Sequence, residues 1–354
     1  MPQEVSISRI RAIAHNSDNR VDSRMARILL TVLVLALTIG AAIHSDISAA
    51  DVGRAIALVG FGMVLVVVIR VLVTLFLSEA WRQLTLPEAR PTFRECFNLR
   101  LVRDGVNGLL PAAQIGGDVV GARLLARSGA APAPAAASVV ADVFVQMATQ
   151  FLFTLAGLLL LVWLGRGGVL AAAIGWGLVA AIPVLVVMAL AQRRGFADIV
   201  LRVLRKLAGG REWRAFAAAD AFYAALASIR QRRTGLFASA GLHLLAWLVG
   251  SAEVYVALHL MGHPVTIAEA IIIESLGHAV RSAAFAVPGA VGVQEGGYVL
   301  LCALFGVPAE PAIAMSLVKR VADLVLGIPG LLIWMQREWR PSGPSADRLE
   351  GTEK

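Results

Sequence analysis

Stretches of about twenty consecutive apolar residues recur along the chain, and very few architectures accept them. A backbone in hydrocarbon must satisfy its own N–H and C=O groups, so it crosses as an α-helix or as a strand of a closed barrel. Barrel strands would alternate apolar and polar residues over segments of about ten, a pattern this chain lacks. With 58% hydrophobic and 16% charged residues and a mean hydropathy of +0.75, the 354 residues cannot hide their apolar surface in a soluble core. The expectation is an all-α polytopic membrane protein with about six transmembrane helices. The net charge of +8 does not call for nucleic acid, because the basic residues gather between the apolar runs, where the positive-inside rule puts them.

Two segments are too charged and glycine-rich to cross as one helix, yet too apolar to be loops. One runs from Val287 to Gly306 and carries Glu295; a weaker copy, Leu110 to Gly129, lies 177 residues earlier and carries Asp118. Pro111 precedes Asp118 by the same offset as Pro288 precedes Glu295, and Leu124, Ala126 and Gly129 match Leu301, Ala303 and Gly306. Pro111, Gly116 and Gly117, and Pro288, Gly289 and Gly292, are the residues expected to break helix. Each segment is read as part of a re-entrant helical hairpin, 96–127 and 266–306, dipping into the membrane where protein or a wet cavity surrounds it. Gly/Pro-broken segments at corresponding places in two halves are the best sequence pointer to a transporter's binding site.

Taken in order, residues 1–27 form a basic cytoplasmic arm. A first repeat, 28–165, holds spans at 28–43 and 55–77, the first hairpin and a span at 134–164. A second, 166–336, holds spans at 169–191 and 236–260, the second hairpin and a span at 311–334. The loop 192–233 has ten Lys/Arg against three Asp/Glu and is expected to be cytoplasmic, with an amphipathic helix in its second part. Residues 337–354 read as a disordered cytoplasmic tail. Three spans separate the hairpins, so the two halves are expected to form an inverted repeat. The polar residues before the first span are unlike a cleavable signal, and that span is expected to persist. Cys96 and Cys302 read as small apolar residues.

Charged side chains at membrane depth mark function when they converge. On the first hairpin Arg100, Arg103 and Asn107 share a helical face ahead of Asp118, with Arg123 beyond it. Asp142 forms a polar stripe with Gln146 on the next span. On the second hairpin Glu274, His278 and Arg281 align ahead of Glu295, and Arg320 and Asp323 lie mid-span with Lys319. Arg103, Asn107, Asp118, Arg123, Asp142, Glu274, His278, Arg281, Glu295, Arg320 and Asp323 are the candidate substrate-binding and transport residues. Helix N-termini after the two prolines would add positive potential suited to an anionic group. Arg70 reads as a snorkelling anchor, and His243, His259 and His263 as span-end or packing residues. Glu274 and His278 lack a further ligand at metal spacing, and no Gly-Lys-Ser/Thr loop is present, so neither metal, cofactor nor ATPase is expected.

The stretches VPGAVGVQEGG and SLVKRVADLVLGIPG resemble the flippase-like transmembrane region of bacterial lysylphosphatidylglycerol synthases. NGLLPAAQIGGDVVGARLLARSG is most similar to the hopanoid-biosynthesis-associated membrane proteins of that superfamily. The resemblance implies a two-hairpin inverted-repeat fold moving lipids between leaflets; with the charge bias above, the expected place is the bacterial inner membrane with both termini cytoplasmic. It does not extend to the soluble aminoacyl-transferase domain, so lysine transfer is not expected, and neither is catalysis. Where the family often places an arginine after the first acid, this chain has Gly121. The expected function is a lipid flippase or transporter for a phospholipid or a hopanoid- or polyprenyl-type lipid. The alternative is a membrane-embedded enzyme or accessory of lipid biosynthesis. The expected partners are the lipid substrate and the bilayer, with a second copy of the chain or lipid-biosynthesis enzymes left open and nucleic acid excluded.

Overall fold

The computed structural model describes residues 54, 57–110, 116–166, 168–192, 213–283 and 292–339, all within one compact unit, Ser48–Lys354. The N-terminal arm, the span at 28–43, Pro111, Pro288, Gly289 and most of the C-terminal tail lie outside the described residues. Among the described residues the structure is helical with no strand: α1 (Gly62–Leu84), a short 3-10 turn (Pro87–Ala89), α2 (Phe93–Leu109), α3 (Gly116–Arg127), α4 (Pro132–Trp163), α5 (Val169–Ala191), α6 (Trp213–Gln231), α7 (Arg233–Leu260), α8 (Ile267–Ala283), α9 (Val293–Ala303) and α10 (Ala309–Trp339). The helices α1, α4, α5 and α7 are long and apolar enough to cross a membrane. Their outward faces carry large apolar residues such as Leu65, Leu159, Trp176 and Val187. Such faces suit lipid and would promote aggregation in water. The protein is a polytopic all-α membrane protein.

Both hairpins begin on the same device. Thr92 caps α2 by accepting the Glu95 N–H at 3.2 Å. Thr266 and Glu269 cap α8 reciprocally, at 3.3 and 2.7 Å. A Thr-x-x-Glu box satisfies N–H groups that the first helical turn leaves open. The repeat register then holds through the next elements. Gly116 and Val293 open α3 and α9, and Pro132 and Ala309 open α4 and α10, each pair 177 residues apart. Between them Gly129 and Gly306 both take positive φ, 113° and 76°, to end the short helix and turn the chain.

Packing follows the same exchange. Swapping α1 with α7, α2 with α8, α3 with α9 and α4 with α10 turns every major helix contact among these eight into another one. The α1–α7 contact maps onto itself and is the most extensive, and α2 packs on α10 as α8 packs on α4. Three membrane-length helices, α4, α5 and α7, separate the hairpins among the described residues, and an odd number reverses the second half in a bilayer. The helix contacts thus follow the exchange of two halves that a repeat requires. Two expectations shift. The second span continues to Leu84 because Trp81 and Leu84 are buried in the core, and the last helix runs through Trp339, past the expected start of the tail.

The exchanged crossings are close because glycine lies at each. A Cβ on Gly330 of α10 would stand 2.0 Å from the Leu101 carbonyl of α2, and one on Gly157 of α4 would stand 1.8 Å from Ser275 Oγ of α8. Without a hydrophobic drive between helices in lipid, such backbone approach supplies the attraction. Gly330→Ala should therefore lower the apparent Tm in detergent, by an amount corresponding to about 1–3 kcal/mol of overpacking. Gly177→Ala, where a Cβ meets nothing within 4 Å, is the control. Equal melting of the two variants would remove the crossing argument.

Candidate functional site

The most buried guanidinium of the first hairpin joins its two helices to each other and to α4. Arg103 is 2% exposed and lies across α3, donating from Nε and Nη2 to Asp118 Oδ1 at 3.0 and 2.7 Å. Its Nη1 donates to Asp142 Oδ2 of α4 at 2.8 Å. The Trp81 ring of α1 faces the guanidinium carbon at 4.5 Å. Gly121 makes this possible, since a Cβ there would fall 2.5 Å from Arg103 Cγ. The glycine that departs from the family pattern is thus the space through which Arg103 passes. Arg100 reaches Asp142 Oδ2 at 3.3 Å, and Asn107 bridges the hairpin, donating to Asp118 Oδ2 at 3.3 Å and accepting the Gly117 N–H at 2.7 Å.

The second hairpin carries a larger network. Glu295 Oε2 accepts the Gly292 N–H at 2.7 Å and so caps α9, where Gly292 holds φ of 80°. Glu295 Oε1 accepts from Arg320 Nε at 2.7 Å and from Ser316 Oγ at 3.2 Å, both on α10. Deeper, Lys319 Nζ sits between Glu253 of α7 at 2.9 Å and Glu274 of α8 at 2.8 Å. His278 Nε2 lies 3.1 Å from Glu274, and Arg70 of α1 donates to Glu253 at 2.5 Å. Arg70 and Arg281 flank Asp323 at 3.4 and 3.8 Å, and Arg281 also reaches Gln294 at 3.3 Å.

The network therefore has two ends. Lys319, Glu253 and Glu274 are at most 5% exposed at the side chain, whereas Arg281, Asp323 and Arg320 are 33, 30 and 24% exposed. Positive Arg70, Arg281, Lys319 and Arg320 balance negative Glu253, Glu274, Glu295 and Asp323, and in the first hairpin Arg100 and Arg103 pair with Asp118 and Asp142 while Arg100 also meets the exposed Asp104 at 3.0 Å. Balance matters because an unpaired charge at membrane depth costs at least ~2.5–3.5 kcal/mol on insertion scales.

Ten of the eleven candidate residues join these two networks. Arg123 does not. It is half-exposed and donates to Glu338 near the end of α10, with Arg127 3.7 Å from the same carboxylate. At the exchanged position Arg166, just past α4, donates to the Leu304 carbonyl beyond α9 and stands over the Phe305 ring at 5.8 Å. Arg70 is no snorkelling anchor, because it is drawn inward by Glu253 and Asp323. Sequence reasoning passed over Glu253, whose signal was plain: a lone acid within an apolar span. His243 is fully buried, with Nε2 3.6 Å from Asp142 Oδ1, rather than at a span end.

Comparison with known families settles the lineage. Residues 24–330 match the family described as the lysylphosphatidylglycerol synthase TM region. The chain belongs to that family. No curated protein and no solved structure matches it. The family match covers both networks and both hairpins.

Removing one partner of a buried pair leaves the other uncompensated, typically at 3–5 kcal/mol. Lys319→Met should therefore destabilise the protein in detergent by about that amount. Adding Glu274→Gln should recover part of the loss, and a double variant no more stable than the single one would count against the pairing.

Proposed function

We propose that this membrane protein moves a polar-headgroup lipid between leaflets by alternating access. The headgroup, of a phospholipid or of a hopanoid- or polyprenyl-type lipid, enters at the exposed end of the second network, between the two hairpins, while the tails stay in the bilayer. The observation that carries the reading is the exchange relation itself. Each half presents a broken hairpin whose short helix starts at a carboxylate, Asp118 or Glu295, held by a guanidinium, Arg103 or Arg320. Two equivalent, oppositely directed halves can adopt each other's conformation, and that interconversion opens a central site first to one side and then to the other.

Arg320 and Arg281 supply donors for a phosphate or carboxylate, and Asp323 and Glu295 accept from an amine or hydroxyl. An anionic headgroup binding Arg320 displaces Glu295, and Glu295 also holds the start of α9 through the Gly292 N–H. Binding is thereby linked to the hairpin's shape. Family membership supports a lipid role, and the apolar outer faces support lateral access from the bilayer. In this reading the membrane is the bacterial inner membrane.

The test is leaflet accessibility of fluorescent lipids to a membrane-impermeant quencher in proteoliposomes, across anionic, zwitterionic and hopanoid-type headgroups. Wild type should move one class selectively. Glu295→Gln and Arg320→Gln should each slow it about tenfold or more, since a hydrogen bond to a charged group contributes ~1.5–3 kcal/mol. Both variants should still elute as folded protein, and undiminished movement in both would sink the reading.

A further inference from the structure

We infer that His243 of α7 and Asp142 of α4 together form a binding site for one proton. The argument is one of hydrogen accounting. His243 Nδ1 lies 3.0 Å from the Ser239 carbonyl oxygen. A carbonyl only accepts, so Nδ1 carries a hydrogen, and a neutral ring then has a bare lone pair on Nε2. That lone pair faces Asp142 Oδ1 at 3.6 Å. Asp142 spends its other oxygen, Oδ2, on Arg100 and Arg103, at 3.3 and 2.8 Å. Neither His243 Nε2 nor Asp142 Oδ1 has a hydrogen-bond partner, and both residues are fully buried.

Two acceptors facing each other in a low-dielectric interior are costly, and a single proton turns the repulsion into a charge-assisted hydrogen bond. The step forms one N–H bond: a hydronium ion of the solution gives its proton to the Nε2 lone pair and is left as water, and the new N–H donates to Asp142 Oδ1 as the 3.6 Å gap closes to hydrogen-bond distance. The charged groups facing the imidazole are Asp142 of α4 and Arg100 and Arg103 of α2. Charges on the other helices packed against α7 are engaged elsewhere: Arg70 and Lys319 on Glu253, His278 on Glu274, and Arg230 on the Gln192 carbonyl. Glu79 and Arg82 of α1 pair with each other.

The site's place gives it a role, which rests on the transport reading above. Arg103 is shared between Asp142 and Asp118 of the hairpin. A positive imidazole competes with Arg103 for Asp142, so the proton shifts that guanidinium toward Asp118 and loosens the tie between hairpin and α4. A proton bound here and a lipid bound between the hairpins therefore act on one conformational equilibrium, which is what coupling requires.

The test uses the full chain with ¹⁵N-labelled histidine in detergent and then in proteoliposomes. The chain has six histidines. The His243 signal is the one lost in His243→Gln or, should that variant not fold, the one moved by Asp142→Asn. Its Nε2 shift should change with pH in wild type, with the midpoint displaced in Asp142→Asn. A His243 signal held in one form over the whole pH range where the protein stays folded overturns the proposal. In proteoliposomes an imposed pH gradient should change the rate of lipid movement in wild type, with that dependence lost in His243→Gln. Brisk lipid movement with no titration of His243 rejects the proton site and leaves the transport reading standing. Titration of His243 and Asp142 as a pair, without movement of any lipid, supports the proton site and rejects the transport reading.

Discussion

The fold depends on charge neutralisation at membrane depth. A helix in lipid satisfies its own backbone, and apolar side chains need nothing further, so the bundle could be built without ionisable groups. This chain instead buries Arg103, Asp142, Glu253, Glu274 and Lys319 almost completely. Each is tolerated only because its partner comes from another helix. The partners span α1 with α7, α2 with α3 and α4, and α10 with α7, α8 and α9. Wrong registers between helices would leave bare charges in hydrocarbon, so the pairs select one arrangement even where their net contribution to stability is small.

The two halves use this constraint differently. In the first, two guanidiniums converge on Asp142, and that of Arg103 lies over Gly121, against the Trp81 ring, and joins hairpin to span. In the second, charge is spread from a sealed trio of Lys319, Glu253 and Glu274 to a partly exposed fringe at Arg281 and Asp323. The repeat is thus alike in backbone and unlike in side chains. The glycines at the α2–α10 and α4–α8 crossings keep both hairpins pressed against the opposite half.

Much of this was legible beforehand. The offset of 177 residues, the odd number of spans between hairpins and the polar faces of α2 and α8 are periodic features, and periodicity survives folding. The Thr-x-x-Glu boxes that open both hairpins were equally plain but went unread. Which charges meet could not be read, because pairing depends on helix rotation and crossing angle. Arg70 resembled an anchor until Glu253 appeared beside it, and His243 resembled a packing residue until Asp142 did. Arg123 had the right type at nearly the right spacing, yet the turn of α3 carries it toward Glu338. The end of the second span was misplaced because Glu79, Arg82 and Gln83 look like a loop in sequence but bond to one another along one face of α1 while Trp81 fills the core.

The closures at the two exchanged ends are not chemically alike. Where α3 meets the end of α10 the clasp is ionic, two arginines on the Glu338 carboxylate. Where α9 meets the end of α4 it is one arginine on a carbonyl and the Phe305 ring. Ions weaken exposed charge pairs and act far less on a cation facing a carbonyl and a ring. A membrane separates two solutions that differ in ionic strength and surface potential. The two-fold relation therefore gives this protein one closure that salt loosens readily and, at the exchanged end, one that salt affects far less.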